Sequence, residues 1–266
     1  MEAVWTRYFP LSIYVRDIIT SGRLGPVGRV FADLAFSNDL EKDDPEDKGR
    51  TVNANLAGGA LLDIGIYSLT WCFQTLYLTQ DPATRQPPTV LAAVNKYRTG
   101  VDEQSTILLT FPRPKEQGGD AHAVASTSFR AATDPTSNGA AGPAVRIQGT
   151  KGEIQVFHPI FRPTRTKLVL SDGTVEEKHF PQPGPGEGSG WYNGFGSSTN
   201  KEGEGHGMFW EADEAGLGVL EGRKEGKFEE LEESVVIMEV MDEVRKQGGF
   251  KLPEKLESTE YPLELD

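Results

Sequence analysis

VRIQGTKGEIQVFHPIFRPTRTKLVLSDGTVEEKHF, residues 145–180, carries two turn signals between apolar runs, and its reading decides the fold. Gly149-Thr150-Lys151-Gly152 separates Val145–Gly149 from Glu153–Phe157, and Ser171-Asp172-Gly173-Thr174 separates Lys167–Leu170 from Val175–Phe180. Asp-Gly is among the strongest hairpin signals, because both residues tolerate the positive φ that a tight turn needs. Strands joined by such short turns can only run antiparallel. Working upstream, Thr89–Arg98, Ser105–Phe111 and Ala121–Phe129 read as three more strands separated by Pro, Gly and acidic turns. Val27–Phe36, after the Gly25-Pro26 turn, places Val30, Ala32, Leu34 and Phe36 on one face of another.

Helices flank these strands. Leu11, Tyr14, Val15, Ile18 and Ile19 mark one face of a helix over Leu11–Ser21, with Gly22 as its stop. After Gly58-Gly59, the apolar segment Ala60–Leu78 reads as a helix buried on several sides. Met208–Glu221 and Glu229–Gln247 close the chain, the second ending at Gly248-Gly249 with Arg245 and Lys246 in its last turn, where they complement the helix dipole. Strands grouped in succession and flanked by helices imply an α+β layer: an antiparallel sheet with helices on one face, as a single domain over residues 1–266. Two excursions interrupt it, an acidic loop at 37–55 and a Gly/Pro-rich loop at 181–207.

The 266 residues hold 27 Lys plus Arg against 40 Asp plus Glu, a net charge of −13, which excludes a generic nucleic-acid coat and opposes an anionic membrane surface. A lone Cys72 leaves no intramolecular disulfide and fits a reducing, cytoplasmic setting. The first twenty residues do not read as a secretory leader. The charge-free run Ile64–Gln80 reads as a buried helix, too short and polar to span a bilayer. No G-x-G-x-x-G turn opens a helix; GPGEGSG at 184–190 lies in a Pro-rich loop. His122, His158, His179 and His206 are too scattered for a metal-ligand pattern, and no G-x-S-x-G elbow is present, so neither metal catalysis nor a serine hydrolase is supported.

Two clusters invite chemistry. Asp63 stands alone among apolar residues with Tyr67 one turn on, and a carboxylate beside a phenol can hold and polarise a hydroxyl or carbonyl. Spacing leaves a second reading open, an acid favoured by the helix start and a core tyrosine. Trp5 and Arg7, two apart in an extended segment, share a side suited to a flat or polar ligand; a packing aromatic with a snorkelling arginine is the alternative. Glu211, Asp213 and Glu214 read as first-turn acids serving the dipole, and Lys96 as a surface strand residue.

MEAVWTRYFP, GGALLDIGIY, IQGTKGEIQV, GHGMFWEADE and ESVVIMEVMDEVRKQGG together resemble the C-terminal part of the Gfo/Idh/MocA oxidoreductases, nearest to the dimeric dihydrodiol dehydrogenases and the fungal NADP-dependent D-xylose dehydrogenases. The resemblance implies a large, mostly antiparallel open sheet that forms the substrate site and commonly a dimer face. It also implies Asp63 and Tyr67 near the reacting carbon and Trp5 and Arg7 beside nicotinamide and substrate. It implies NADP as cofactor, bound by an N-terminal Rossmann domain that these residues do not include, together with that domain's Glu-Lys-Pro lysine. Three functions follow as expectations: oxidation of a secondary alcohol or aldose when a Rossmann domain is supplied, a cofactor-independent isomerase, cyclase or lyase reusing the same pocket, or a non-catalytic dimerisation module. The expected partners are a small-molecule substrate and a second copy of the chain through the sheet face, with no metal, nucleic acid or membrane.

Overall fold

The architecture is known from a computed structural model that describes residues 1–137, 139–194, 200–260 and 262. A 3₁₀ turn at Trp5–Tyr8 leads into α1 (Pro10–Thr20) and β1 (Val27–Ala35). The one-turn helix α2 (Leu40–Asp43) follows, then a π-helical turn, Leu61–Gly65, which runs into α3 (Ile66–Leu76). Seven strands come next: β2 (Thr89–Lys96), β3 (Asp102–Phe111), β4 (Ala121–Ser128), β5 (Pro143–Gly149), β6 (Gly152–Phe157), β7 (Arg165–Leu170) and β8 (Val175–His179). Helices α4 (Phe209–Leu220), α5 (Leu231–Gly248) and the single turn α6 (Glu254–Glu257) complete the order.

The strands form one sheet in the order β2-β3-β4-β1-β5-β6-β7-β8. Both hairpins read from residues 145–180 are present, β5–β6 with Ile147 opposite Ile154 and β7–β8 with Val169 opposite Val175. The first strand is in the middle. β1 pairs parallel with β4, Val30 opposite Ala123, and antiparallel with β5, Val30 opposite Ile147. The expected antiparallel sheet therefore contains one parallel pair, which local turn chemistry does not signal because its partners lie some 90 residues apart in sequence.

Strand alternation sorts the two faces. On one face Leu109, Ala123, Val30, Ile147, Ile154 and Leu168 lie side by side across six strands and are all buried. α3 packs there on β1 and β4, and α5 on β2, where the Gln247 side chain donates to the Val90 carbonyl (2.9 Å) and accepts from the Ala92 amide (2.8 Å). The opposite face, row by row, reads Leu91, Leu108, Val124, Phe31, Arg146, Gln155, Lys167, Glu177, apolar over β2-β3-β4-β1 and charged or polar beyond.

One loop expectation changes. The acidic loop contains α2 and is tied down, Arg130 binding Glu41 (2.7 Å) and Arg98 binding Asp47 (2.9 Å). The Gly/Pro-rich loop is described except at 195–199, where the expectation lies outside the described residues. The apolar run is also longer than the reading from Ile64 allowed: Ala54–Leu76 is long and apolar enough to cross a bilayer by length and composition alone. Here it is a core segment, with Trp71, Phe73 and Leu76 fully buried, and Cys72 lies among them.

Trp71 ties this helix to the β6–β7 connection by donating from Nε1 to the Ile160 carbonyl (3.0 Å). Removing a donor strands the buried acceptor as well as shrinking the side chain. Trp71→Phe is expected to lower unfolding free energy by about 2–4 kcal/mol in urea titration.

Candidate active site

The buried helix begins at a carboxylate. Asp102, 1% exposed at the start of β3, accepts from the Leu61 amide (2.8 Å) and the Ser105 hydroxyl (3.0 Å), satisfying a first-turn N–H that would otherwise be an orphan. Burial pushes its pKa up to about 6, with the hydrogen bonds pulling it down. Gly59 makes this approach possible: its φ is +125° and a Cβ would collide with Asp102 Oδ1.

From that anchored start the chain presents Asp63, on the π turn, and Tyr67, in the first turn of α3, both half-buried. π turns inside helices recur at functional sites because they re-aim side chains. Asp63 Oδ1 accepts from Arg50 Nη1 (2.6 Å), an arginine 74% exposed. Tyr67 Oη accepts from Trp5 Nε1 (3.2 Å), which leaves its own O–H free in direction. Burial raises the Tyr67 pKa above its ordinary value against the Trp5 hydrogen bond, so the phenol keeps its proton at neutral pH. Asp63, Tyr67 and Trp5 are thus brought together from segments some 60 residues apart.

Arg7 is not. The segment predicted to be extended is a 3₁₀ turn, so residues two apart point to different sides, and Trp5 faces Tyr67 while Arg7 is fully buried against Glu233 of α5. The expected ligand-facing arginine is instead a core cation. Beside it Glu229 is 1% exposed with neither carboxylate oxygen hydrogen-bonded. Burial pushes Glu229 up to about 8 although Arg7 opposes this, which leaves Arg7 and Glu233 as the ion pair and Glu229 protonated at neutral pH.

The structure adds aromatic residues that sequence reasoning did not select. His206 stacks on Trp5 (4.8 Å between centroids, 16° between planes). Phe161 lies 5.9 Å from Trp5, 5.8 Å from Tyr67 and 6.4 Å from Phe36, making a continuous wall. The wall is pinned where Thr6 Oγ1 donates to the Phe161 carbonyl (2.6 Å). The scattered spacing of the histidines speaks only to metal ligation and carries no sign of stacking between distant segments. Of the first-turn acids, Glu211 lies within electrostatic range of Tyr67, while Glu214 is buried on Arg223 (2.6 Å) and accepts from the Lys227 amide (2.7 Å), a structural role beyond serving the dipole.

A dinucleotide's phosphates do not fit the Gly58-Gly59 turn. The helix start that would cradle them is capped by the Asp102 carboxylate, and a Cβ at Gly58 would meet the Asn53 backbone at 2.8 Å, so the turn is closed on itself. What these residues offer is an acceptor, Asp63, and a donor, Tyr67, beside an apolar wall.

Solved structures share this open α+β sheet layered with helices, a likeness of fold. An aldose-aldose oxidoreductase from Caulobacter crescentus, complexed with glycerol, matches with a TM-score of 0.63 at 21% identity, covering 92% of this chain and 60% of the other. A 3-ketoreductase from Actinomadura kijaniata, complexed with NADP and TDP-benzene, matches at 0.61 and 18% identity, covering 93% and 62%. Residues 13–155 match the model of the GFO/IDH/MocA C-terminal domain, and the chain belongs to that family. It is 45% identical over 264 residues to the D-xylose 1-dehydrogenase (NADP(+)) of Hypocrea jecorina, covering 98% of this chain and 62% of the relative. It is 32% identical over 254 residues to the human trans-1,2-dihydrobenzene-1,2-diol dehydrogenase, covering 96% and 63%. The chain therefore spans less than two thirds of the length of these curated relatives.

The Glu229 carboxyl gives the fold a pH signature. Its folded pKa of about 8 exceeds the ordinary value of 4.5, so the folded state binds the extra proton and its advantage is complete below the lower value. Stability is expected to fall as pH rises from 4.5 to 8, by up to about 5 kcal/mol from this group alone. Urea titrations of the wild type and of Glu229→Gln across this window test it, the variant showing the shallower decline.

Proposed function

We propose that this chain is the substrate-binding part of an oxidoreductase acting on an aldose or a vicinal diol, with Asp63 and Tyr67 gripping the hydroxyl that is oxidised. The observation that carries the reading is the donor–acceptor pair itself. Asp63 accepts a hydroxyl proton, and Tyr67, kept protonated by burial and anchored by Trp5, donates to the hydroxyl oxygen. Trp5, Phe161 and His206 supply a face for a ring and exclude water from one side of it. The substrates for which these relatives are named, D-xylose and a dihydrobenzenediol, share a ring with adjacent hydroxyls, which this arrangement suits. The first relative is by name NADP-dependent, and NADP would accept the hydride in this reaction.

The reading is tested on the 266-residue protein by NMR titration with D-xylose. The Trp5 indole N–H resonance is expected to move, and Asp63→Asn and Tyr67→Phe each to weaken binding about tenfold, the loss of one hydrogen bond to a charged or buried partner. A Trp5 signal that never moves defeats the reading. Grafted in place of the matching part of the Hypocrea jecorina enzyme, the chain is expected to support NADP reduction by D-xylose, with Asp63→Asn slower by about 10²–10⁴.

The second copy of the chain belongs to the same proposal. Leu91 and Leu108 are 65% and 41% exposed on the uncovered sheet face, in one row with Val124 and Phe31. An apolar row on a face that no helix covers among the described residues is suited to self-association. Light scattering at micromolar concentration is expected to give a dimer, and Leu108→Glu a monomer.

A further inference from the structure

The acidic loop delivers one cation to Asp63. Arg50 donates to it from Nη1 (2.6 Å), and the charge of the guanidinium also reaches Tyr67. The backbone on either side of Arg50 is pinned. Asp44 accepts from the amides of Lys48 (3.1 Å) and Gly49 (2.7 Å), the Thr51 carbonyl accepts from the Gly59 amide (2.9 Å), and Val52 is buried. Arg50 is thereby tied to the same Gly58-Gly59 turn that precedes Asp63. The guanidinium is only partly used. Among the described residues the bond to Asp63 Oδ1 is its one hydrogen bond, so the N–H groups of Nε and Nη2 stay unengaged on a side chain that is 74% exposed. Asp63 Oδ2 is likewise without a hydrogen-bond partner among them. The nearby acids of the loop are engaged elsewhere, Asp44 with the two amides, Glu46 with Lys48 and Asp47 with Arg98 (2.9 Å). So open an ion pair adds little to stability, and holding the fold does not account for it.

We propose that Arg50 is a specificity-determining residue that donates to the hydroxyl next to the one held by Asp63 and Tyr67, so that the site selects a vicinal diol. This deepens the function proposed above and rests on it. The direct contact between Arg50 and Asp63 sets the reach, because a hydroxyl on Asp63 Oδ2 lies beside the guanidinium that holds Oδ1. The oxygens of adjacent gauche hydroxyls are themselves about one hydrogen-bond length apart. With the first hydroxyl on Oδ2, the second meets an unengaged N–H of Arg50, and the hydrogen bonds close a ring from Asp63 through both hydroxyls to Arg50 and back. The planar fork of a guanidinium fixes the direction of these donors, which a flexible ammonium would not. Asp63 already balances the charge of Arg50, which suits the remaining donors to a neutral oxygen. A hydroxyl on the far side of a ring lies beyond them.

The test compares trans-cyclohexane-1,2-diol with trans-cyclohexane-1,4-diol, which carry the same two hydroxyls either adjacent or across the ring. Both are titrated into the 266-residue protein, read by NMR of the Trp5 indole N–H and of the Arg50 Nε–H. In the wild type the 1,2-diol binds about tenfold more tightly, the worth of one hydrogen bond to a charged donor, and it alone shifts the Arg50 signal. Arg50→Met keeps an apolar stem and removes the donors, so the tenfold preference disappears. Asp63→Asn weakens both diols alike, since both depend on that carboxylate. If the diols move Trp5 but the wild type shows no preference, or if Arg50→Met keeps the preference, this inference falls and the grip at Asp63 and Tyr67 stands. If neither diol moves the Trp5 signal, both fall. Should Arg50→Met fail to fold, the wild-type Arg50 signal decides alone: a shift with the 1,2-diol only supports the inference, and no shift, or a shift with both, overturns it.

Discussion

The hydrogen bond from the Leu61 amide to the Asp102 carboxylate fixes where the buried helix starts, and the remaining geometry hangs on that point. Asp102 is on β3, whose register with β4 aligns Ser105 with Thr127, so the cap ties the helix start to the sheet. The residues that follow inherit their positions from it. Leu61 and Ile64 enter the core, Asp63 and Tyr67 are left half-buried at the rim, and Trp71 reaches the Ile160 carbonyl ten residues on. A helix with Ser68 to Leu76 wholly buried has no freedom to slide or turn, because any shift would open voids against β1 and β4.

Much of this was legible in the chain itself, and what was not has a common cause. Alternation and turn chemistry are local, so the hairpins at 145–180 and the strand and helix order could be read from neighbouring residues. The place of β1 between β4 and β5 could not, since it depends on which distant edge is left unpaired once the other strands have formed. The site shows the same division. Asp63 and Tyr67 announced themselves by standing polar within an apolar run. Phe36, Phe161 and His206 carry no such mark, being aromatic residues whose meaning is set by contacts with segments far along the chain. Arg7 does not share a side with Trp5 because that depends on a backbone state, 3₁₀ rather than extended, which a four-residue turn does not betray.

The net charge of −13 describes the molecule at a distance and little of its interior. Arginines absorb many of the acids locally: Arg130 holds Glu41 and Glu103, Arg85 holds Glu230 and Glu232, and Arg223 holds Glu214 and Glu221. A planar guanidinium can hold two carboxylates at once, which suits a chain with more acids than bases. Near the proposed substrate the pattern continues, with Arg50 on Asp63 and Arg162 on backbone carbonyls.

The 3₁₀ turn at Trp5–Tyr8 couples core and site more tightly than either feature suggests alone. Within four residues it sends Trp5 to Tyr67, Thr6 to the Phe161 carbonyl and Arg7 to Glu233. The first two contacts set the spacing of the aromatic wall, and the third clamps the turn to α5. Because Arg7 and Glu233 are both wholly removed from solvent, separating them would leave a bare charge in the core, at a cost of about 3–5 kcal/mol. That penalty makes the clamp rigid in one direction, so Trp5 cannot swing from Tyr67 unless the buried pair also parts. The wall against which a ring would lie is in this way held by an ion pair that never meets it.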